Sequence, residues 1–275
     1  MLNPHPGGSY LLGLLLFVAA QICFSSSGSV RAQDSAAPGL QETLKQGLDF
    51  YQQGDNQGAI AALNRVVKQR KDNIIAWYYL GLAYERQGKT KDARKSYEKA
   101  VVAGELTLEN LFSMPYGKTL KTVEQFKPVL LLAADAANKY LGLNPGLSSE
   151  KVKEWSARSE LLREQAEASY GKGQDSTGTR IYAPREVTTK ARILKRPEPT
   201  YSERAREKQV EGTVVLRAVF AYDGQVRGIR VVSGLPEGLT FRAIEAARRI
   251  KFTPASVNGQ PVSQYIQIEY NFNLY

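Results

Sequence analysis

Hydrophobic positions in the N-terminal half of the chain recur at helical spacing, and the pattern occurs twice. Between residues 40 and 104, six pairs of small or apolar residues lie 34 residues apart. A repeat of this length, with apolar positions at intervals of three and four, predicts two successive pairs of antiparallel helices. The matched pairs are Gly47 and Gly81, Phe50 and Tyr84, Gly54 and Gly88, Ala59 and Ala93, Leu63 and Tyr97, and Val66 and Ala100.

Residues 105–171 continue the helical spacing without a third copy of the repeat. Two repeats alone bury too little surface for a stable stack, so we interpret this segment as capping helices. An apolar and alanine-rich run at Val129–Leu141 predicts one helix, and the break at Asn144-Pro145-Gly146 separates it from the next. The second capping helix is indicated by Val152, Trp155, Leu162 and Ala166.

The last eighty or so residues switch to an alternation of apolar and polar positions, which is typical of half-buried strands. Asp223-Gly224 is a strong hairpin-turn signal between two such strands. The pattern predicts a small domain with a three-stranded antiparallel sheet and two helices. In chain order these are a helix at Ser202–Gln209, strands at Val214–Phe220 and Gln225–Val232, a helix at Leu239–Ile250, and a strand over 266–274.

Between these regions, residues 171–189 are rich in Gly, Ser, Thr and charge, and they lack apolar periodicity. Such a composition predicts a flexible linker. The fold class is therefore α+β overall, with an all-α N-terminal part. The predicted divisions are an N-terminal export or anchor segment at 1–32, a helical domain at 38–171, a linker at 172–194 and the small α+β domain at 195–275.

The second copy of the repeat resembles a tetratricopeptide repeat through Trp77, Leu80, Gly81 and Tyr84. Gly81 lets the two helices of the repeat approach closely, and Gly88 ends the first helix in a turn. We interpret Trp77, Tyr84 and Tyr97 as core residues. The resemblance implies a concave groove that takes a peptide or another protein.

The C-terminal domain resembles the C-terminal domain of TonB along its whole length. The residues that carry the resemblance are Tyr201, Ala205, Gly212, Val214, Asp223-Gly224, Val226, Ser233-Gly234, Ala243, Phe252, Pro254-Ala255, Gly259, Pro261-Val262 and Phe272. Ser202 and Ile250 depart from the family, which usually has proline and often has tryptophan at these positions. The resemblance implies a periplasmic module that binds other proteins and is not an enzyme.

In the family resembled, the last strand lies at a sheet edge and pairs through its backbone with a short extended segment of an outer-membrane receptor. An unpaired edge can accept a strand whatever side chains that strand carries. The resemblance places this edge at Gln264–Asn273 in the present chain. The partner-binding residues expected here are Gln264, Tyr265, Gln267, Glu269, Asn271 and Asn273.

Composition excludes several classes of enzyme. The only histidine, His5, and the only cysteine, Cys23, lie in the N-terminal segment that we expect to be removed. The remaining chain then has no His-dependent nucleophile system, no disulfide and no His- or Cys-ligated metal. We expect no catalytic residues, no cofactor and no metal ion.

The N-terminal segment contains an apolar run at Tyr10–Phe24, followed by Ser25–Gly28 and by small or medium residues at Val30 and Ala32. A run of about 15 residues is shorter as a helix than the ~30 Å hydrocarbon core of a bilayer. We therefore favour a signal peptide cleaved before Gln33, with a retained membrane anchor as the alternative. Cleavage predicts a periplasmic protein, and retention predicts one anchored in the inner membrane.

The net charge of +10 would suit nucleic acid, but export places the protein where little nucleic acid is present. Two functions stay open. One is TonB-like binding of an outer-membrane receptor in support of transmembrane transport, with energy transduction if the anchor is retained. The other is a periplasmic adaptor that holds two envelope proteins, one on the repeats and one on the C-terminal domain, without energy transduction.

Overall fold

The computed structural model describes residues 37–112, 116–167, 173 and 179–274. The N-terminal segment at 1–32, with His5 and Cys23, lies outside the described residues. Tertiary contacts divide the chain into two compact units, one comprising Met1–Thr107 and Glu124–Ala166 and the other Leu108–Val123 and Glu167–Tyr275.

Helices dominate the described part of the chain up to residue 167. The first two pairs correspond to the two copies of the sequence repeat, and the third pair corresponds to the predicted capping helices. The bounds are α1 at Ala37–Gln52, α2 at Asn56–Gln69, α3 at Ile74–Arg86, α4 at Thr90–Phe112, α5 at Tyr116–Gly142 and α6 at Ser149–Ala166.

Close approach of the helices in each repeat depends on glycine, as the sequence predicts. A Cβ atom on Gly81 would lie 2.4 Å from the ring of Tyr97 on α4, and one on Gly47 would lie 2.8 Å from Leu63 on α2. Gly88 has a positive φ of 70° in the turn between α3 and α4. A larger residue at Gly81 would therefore push α3 away from α4.

The capping helices bury the alanine-rich run as expected. Val129, Leu130, Ala133, Ala134, Ala136 and Ala137 are all buried. In α6, Trp155, Leu162 and Ala166 are buried, but Val152 is 41% exposed. Its helical spacing wrongly predicted an inward position, because Val152 lies in the first turn of the helix, just after its start at Ser149.

The C-terminal domain has the predicted α+β fold. In the described residues, four short strands are present in addition to the three long ones. The helices are α7 at Glu203–Glu207 and α8 at Leu239–Arg248. The strands are β1 at Ile181–Tyr182, β2 at Arg192–Lys195, β3 at Gly212–Phe220, β4 at Val226–Ser233, β5 at Lys251–Thr253, β6 at Ala255–Val257 and β7 at Gln260–Phe272.

The main sheet has the order β1-β7-β3-β4, and its long strands are antiparallel. Alternate residues of β3 and β7 form the core on one face, where α8 packs against β3 and β4. These core residues are Val214, Leu216, Ala218, Ile268, Tyr270 and Phe272. The opposite residues of β7, such as Gln267 and Glu269, are exposed, as strand alternation requires.

The segment predicted as a linker differs from that expectation in its second half. Strand β1 pairs with β7, Thr189 bridges to Ser256, and β2 pairs with β5. The two strands have two and four residues and the bridge is a single residue pair, which is too short to produce a periodic pattern in the sequence. Residues 181–195 thus belong to the sheets of the C-terminal domain.

Candidate functional site

The candidate site is the side of β7 that faces away from β3. On the β3 side, nine consecutive residue pairs run without irregularity from Gly212 with Phe272 to Phe220 with Gln264. On the other side, β1 pairs in parallel with Ser263 and Gln264 only. Among the described residues, no strand pairs with this side from Tyr265 onwards, and we call Tyr265–Asn273 the open edge.

Backbone groups along the open edge alternate in direction. In an antiparallel pair, each residue points both its N–H and its C=O to one side, and the next residue points both to the other. The carbonyl of Glu269 accepts a hydrogen bond from the guanidinium of Arg196, which lies outside the β3–β7 pairing. The N–H and C=O groups of Glu269 and the residues two positions away, Gln267 and Asn271, therefore face the open side.

The six residues expected at this site differ in their surroundings. Gln264 is fully buried, its backbone pairs with both β1 and β3, and its Oε1 accepts a hydrogen bond from the Ala191 amide at 2.9 Å. Gln264 therefore does not lie on the open part of the edge. Asn273 is exposed and follows the last residue of β7.

The other four lie along the open edge, with side chains on the exposed face of the sheet. Tyr265 is half-buried beneath the guanidinium of Arg217, which lies 4.4 Å from the ring centroid. Gln267 donates a hydrogen bond to the Glu269 carboxylate at 2.8 Å, and Asn271 accepts one from Thr213 at 2.8 Å. These are contacts between side chains on one face, and none of them uses the backbone groups of the edge.

Sequence reasoning missed the segment before α7 that accompanies the edge. Besides the contacts of Ala191 and Arg196, the ring of Tyr201 meets that of Phe272 edge-on, with centroids 5.4 Å apart. The prolines at 197 and 199 favour an extended chain here, but nothing in the sequence indicates which strand it follows.

Families of known proteins match both parts of the chain. Residues 197–274 match the model of the Gram-negative bacterial TonB protein C-terminal domain, and residues 44–105 match the tetratricopeptide repeat. The chain carries tetratricopeptide repeats followed by a TonB C-terminal domain. Both resemblances expected from the sequence are confirmed. The two families are protein-interaction modules, and TonB proteins act in the Gram-negative cell envelope.

A solved structure is also similar to the TonB C-terminal domain of this chain. It is the solution NMR structure of the Pseudomonas aeruginosa TonB C-terminal domain, with 20% sequence identity. The match covers 34% of this chain and 94% of that one, with a TM-score of 0.28. No curated protein matches the chain.

The tetratricopeptide repeats present a second candidate surface, formed by Tyr51, Tyr79 and Arg86. The two rings meet edge-on with centroids 5.2 Å apart, and the Arg86 guanidinium lies 3.8 Å from the Tyr51 centroid. Arg86 also donates to the Tyr51 carbonyl at 2.9 Å, which ties α3 to α1. Both tyrosines are half-buried.

Of the three aromatic residues expected in the core of the second repeat, one is fully buried and two are half-buried. Tyr97 is fully buried and its hydroxyl donates to Glu85 at 2.6 Å. Burial raises the pKa of Tyr97, and the hydrogen bond to Glu85 raises it further, so this hydroxyl stays protonated. Trp77 and Tyr84 are half-buried, and Trp77 Nε1 donates to the Lys71 carbonyl at 2.8 Å.

Neither part of the chain shows a metal-binding arrangement in the residues that the structure describes, since no three carboxylate, histidine or cysteine side chains cluster there. Across the same residues, every helix is too short or too polar to cross a bilayer.

Proposed function

We propose that the TonB C-terminal domain binds an outer-membrane receptor or another envelope protein by accepting an extended segment of that protein as an additional strand. The segment would lie along the open edge at Tyr265–Asn273, next to β7. The activity is protein binding in the periplasm in support of transmembrane transport, and it requires no catalytic residue, cofactor or metal.

One observation carries this proposal. From Tyr265 onwards, alternate residues of β7 direct their N–H and C=O groups to a side where the described residues provide no strand, because β1 pairs only with Ser263 and Gln264. Backbone groups at such an edge are satisfied by water in the free protein, and an added strand replaces that water with a regular ladder of hydrogen bonds. The regular pairing with β3 keeps β7 extended from Gln264 to Phe272, so several bonds can form in register.

Proline and alanine at the same position separate backbone recognition from side-chain recognition. Gln267→Pro or Glu269→Pro removes one N–H donor from the open side, and the lost and unsatisfied hydrogen bonds are expected to weaken partner binding about 10- to 100-fold. Gln267→Ala and Glu269→Ala leave the backbone donors in place, so they should change affinity about twofold or less.

The measurement is capture of receptors from detergent-solubilised outer membranes, followed by titration of the captured receptor against each variant. Circular dichroism and thermal unfolding of all four variants control for folding. Equal losses from the alanine and proline variants would show that side chains make the contact, and the strand-addition proposal would then be wrong.

The repeats support a second proposed role as an adaptor that holds another protein without energy transduction. Tyr51 and Tyr79, which are half-buried beside the exposed Arg86, are suited to an apolar or aromatic peptide side chain. Arg86→Ala would weaken such binding and leave receptor capture by the TonB C-terminal domain unchanged. We also propose the helical domain predicted at 38–171, and we propose that the C-terminal domain begins at Ile181, within the predicted linker, because its sheet contacts begin there.

A further inference from the structure

Arg196 is the residue whose side chain reaches the backbone of the open edge. Its guanidinium donates a hydrogen bond to the carbonyl of Glu269, one of the groups that an added strand would use. It also lies over the ring of Tyr270, 4.6 Å from the centroid. Tyr270 is fully buried, so the ring provides a fixed platform for the cation.

The chain around Arg196 follows the edge without closing it. Ala191 contacts Gln264 near the start of the edge, and Tyr201 contacts Phe272 at its end. Between these two points, the described residues make no backbone hydrogen bond to the open side of β7. The carbonyl of Glu269 is therefore occupied by a side chain that can leave without any strand being unpaired.

Arg196 has no carboxylate within ion-pair distance in the part of the chain that the structure describes, which explains why its guanidinium takes a main-chain acceptor. A carbonyl is a weaker acceptor for guanidinium than a carboxylate, which can accept two parallel hydrogen bonds. Arg196 would therefore exchange the carbonyl for a carboxylate if one came within reach.

We infer that Arg196 selects the partner segment, favouring an extended chain that carries a carboxylate side chain next to Glu269. An N–H of the incoming strand would replace Arg196 on the Glu269 carbonyl. The displaced guanidinium stays over Tyr270 and binds the carboxylate of the partner. This inference rests on the proposed addition of a strand to β7, and it adds a preference of side chain to that backbone recognition.

The contact in the free protein can be tested without a partner. Arg196→Met keeps the aliphatic stem and removes all donors, and Arg192→Met is the matched control in an exposed strand paired with Thr253. In the isotope-labelled full chain, the carbonyl carbon resonance of Glu269 should move in Arg196→Met and stay in place in Arg192→Met. An unchanged resonance in Arg196→Met would overturn the inference.

Selection is tested with two labelled ten-residue peptides of alternating valine and threonine, one with a central glutamate and the other with glutamine. The wild-type chain should bind the glutamate peptide about fivefold more tightly by fluorescence anisotropy, since charge-assisted bonds at an exposed site are screened. Arg196→Met should bind both peptides equally, and Arg192→Met should keep the preference.

Three other results would overturn the inference, and they are distinguishable. Equal binding of both peptides to the wild type would refute selection by Arg196 and leave strand addition intact. Loss of the preference in Arg192→Met as well would point to general attraction by basic charge. Absence of binding by either peptide to the wild type and to Arg196→Met, with the Glu269 resonance shifted, would refute strand addition itself.

Discussion

Two long strands, β7 and β4, pair with opposite sides of β3 in the main sheet, and only β7 has the uninterrupted pairing that the proposed addition of a strand requires. Strand β7 pairs with β3 through nine consecutive residues, whereas the pairing of β4 with β3 shifts register twice. Gly228 in β4 has a positive φ of 55°, which no regular strand contains. Such irregularities twist an edge and interrupt its row of hydrogen-bonding groups.

The two strands also differ in the charges that they carry. Arg227 and Arg230 lie on β4, and Arg227 forms an ion pair with Asp223 in the adjoining turn. Strand β7 carries Glu269 as its charged residue between Tyr265 and Phe272. Long basic side chains on an outer strand hinder edge-to-edge pairing. In regularity of backbone and in sparseness of charge, β7 therefore fits the proposed addition of a strand better than β4 does.

The largest effect that this comparison predicts is in amide hydrogen exchange along β7. Amides that face β3, such as those of Ile268 and Tyr270, should exchange only through unfolding of the domain. Amides that face the open side, at Gln267, Glu269 and Asn271, should exchange about a thousandfold faster or more, because domain stabilities are ~5–15 kcal/mol. Residue-resolved exchange by NMR in the free chain measures this alternation.

Addition of the bound partner should then protect the open-side amides of β7 directly, whereas amides that exchange through unfolding slow only by the common factor by which binding stabilises the folded domain. The outward-facing amides of β4 provide the internal control, since they exchange without unfolding and should not respond to the partner. Protection of β4 in place of β7 would reverse the comparison and show that the irregular edge is the binding edge.

A second prediction concerns the irregularity of β4 itself. Gly228→Ala introduces a Cβ that has room, because its nearest neighbour, the Val219 side chain, is 3.6 Å away. The positive φ is then the main cost, about 1–2 kcal/mol of unfolding free energy. Urea denaturation should show this loss, while receptor binding at β7 measured well below the melting temperature stays within about twofold.

An unchanged unfolding free energy for Gly228→Ala would mean that β4 relaxes to a regular strand at no cost. In that case the distortion is not a fixed feature of the edge, and the backbone difference between β4 and β7 would not explain partner choice.

Much of the fold could be predicted because its elements are long and periodic. The repeat of 34 residues located α1 to α4, and strict alternation located β3 and β7. The short strands at 181–182 and 192–195 could not be predicted, since two to four residues carry no period. Their position depends on tertiary pairing with β7 and β5, which local sequence does not encode.

The candidate site could be predicted in outline but not in detail. Alternation placed Gln267, Glu269 and Asn271 on the exposed face of β7, and the structure agrees. Gln264 looked equally polar in sequence, yet it is buried because β1 and the Ala191 amide cover it. The contact of Arg196 joins residues 73 positions apart, and no periodicity in either segment relates them.

The smallest predicted effect is on the pH dependence of the unfolding free energy. It arises because β7 contains a buried ionisable residue and the buried residues of β4 do not ionise. Tyr270 in β7 is fully buried, whereas the buried residues of β4 are Ile229 and Val231, which do not ionise. Burial raises the pKa of Tyr270, although the nearby Arg196 partly opposes the shift. As the pH rises past about 10, the unfolded chain loses this proton before the folded chain does. The folded state is then penalised, so the stabilising contribution present at lower pH is progressively lost as the pH rises through the raised pKa.

Tyr270→Phe removes the ionisable group and keeps the ring under Arg196. Its unfolding free energy should therefore fall less steeply than that of the wild type between about pH 9 and pH 11. The two proteins should differ little in their pH response near neutrality, where the hydroxyl is protonated in both states. Urea denaturation across this range measures the difference. Parallel stability curves throughout would show that Tyr270 does not contribute to the alkaline response, and that β7 and β4 respond alike to high pH.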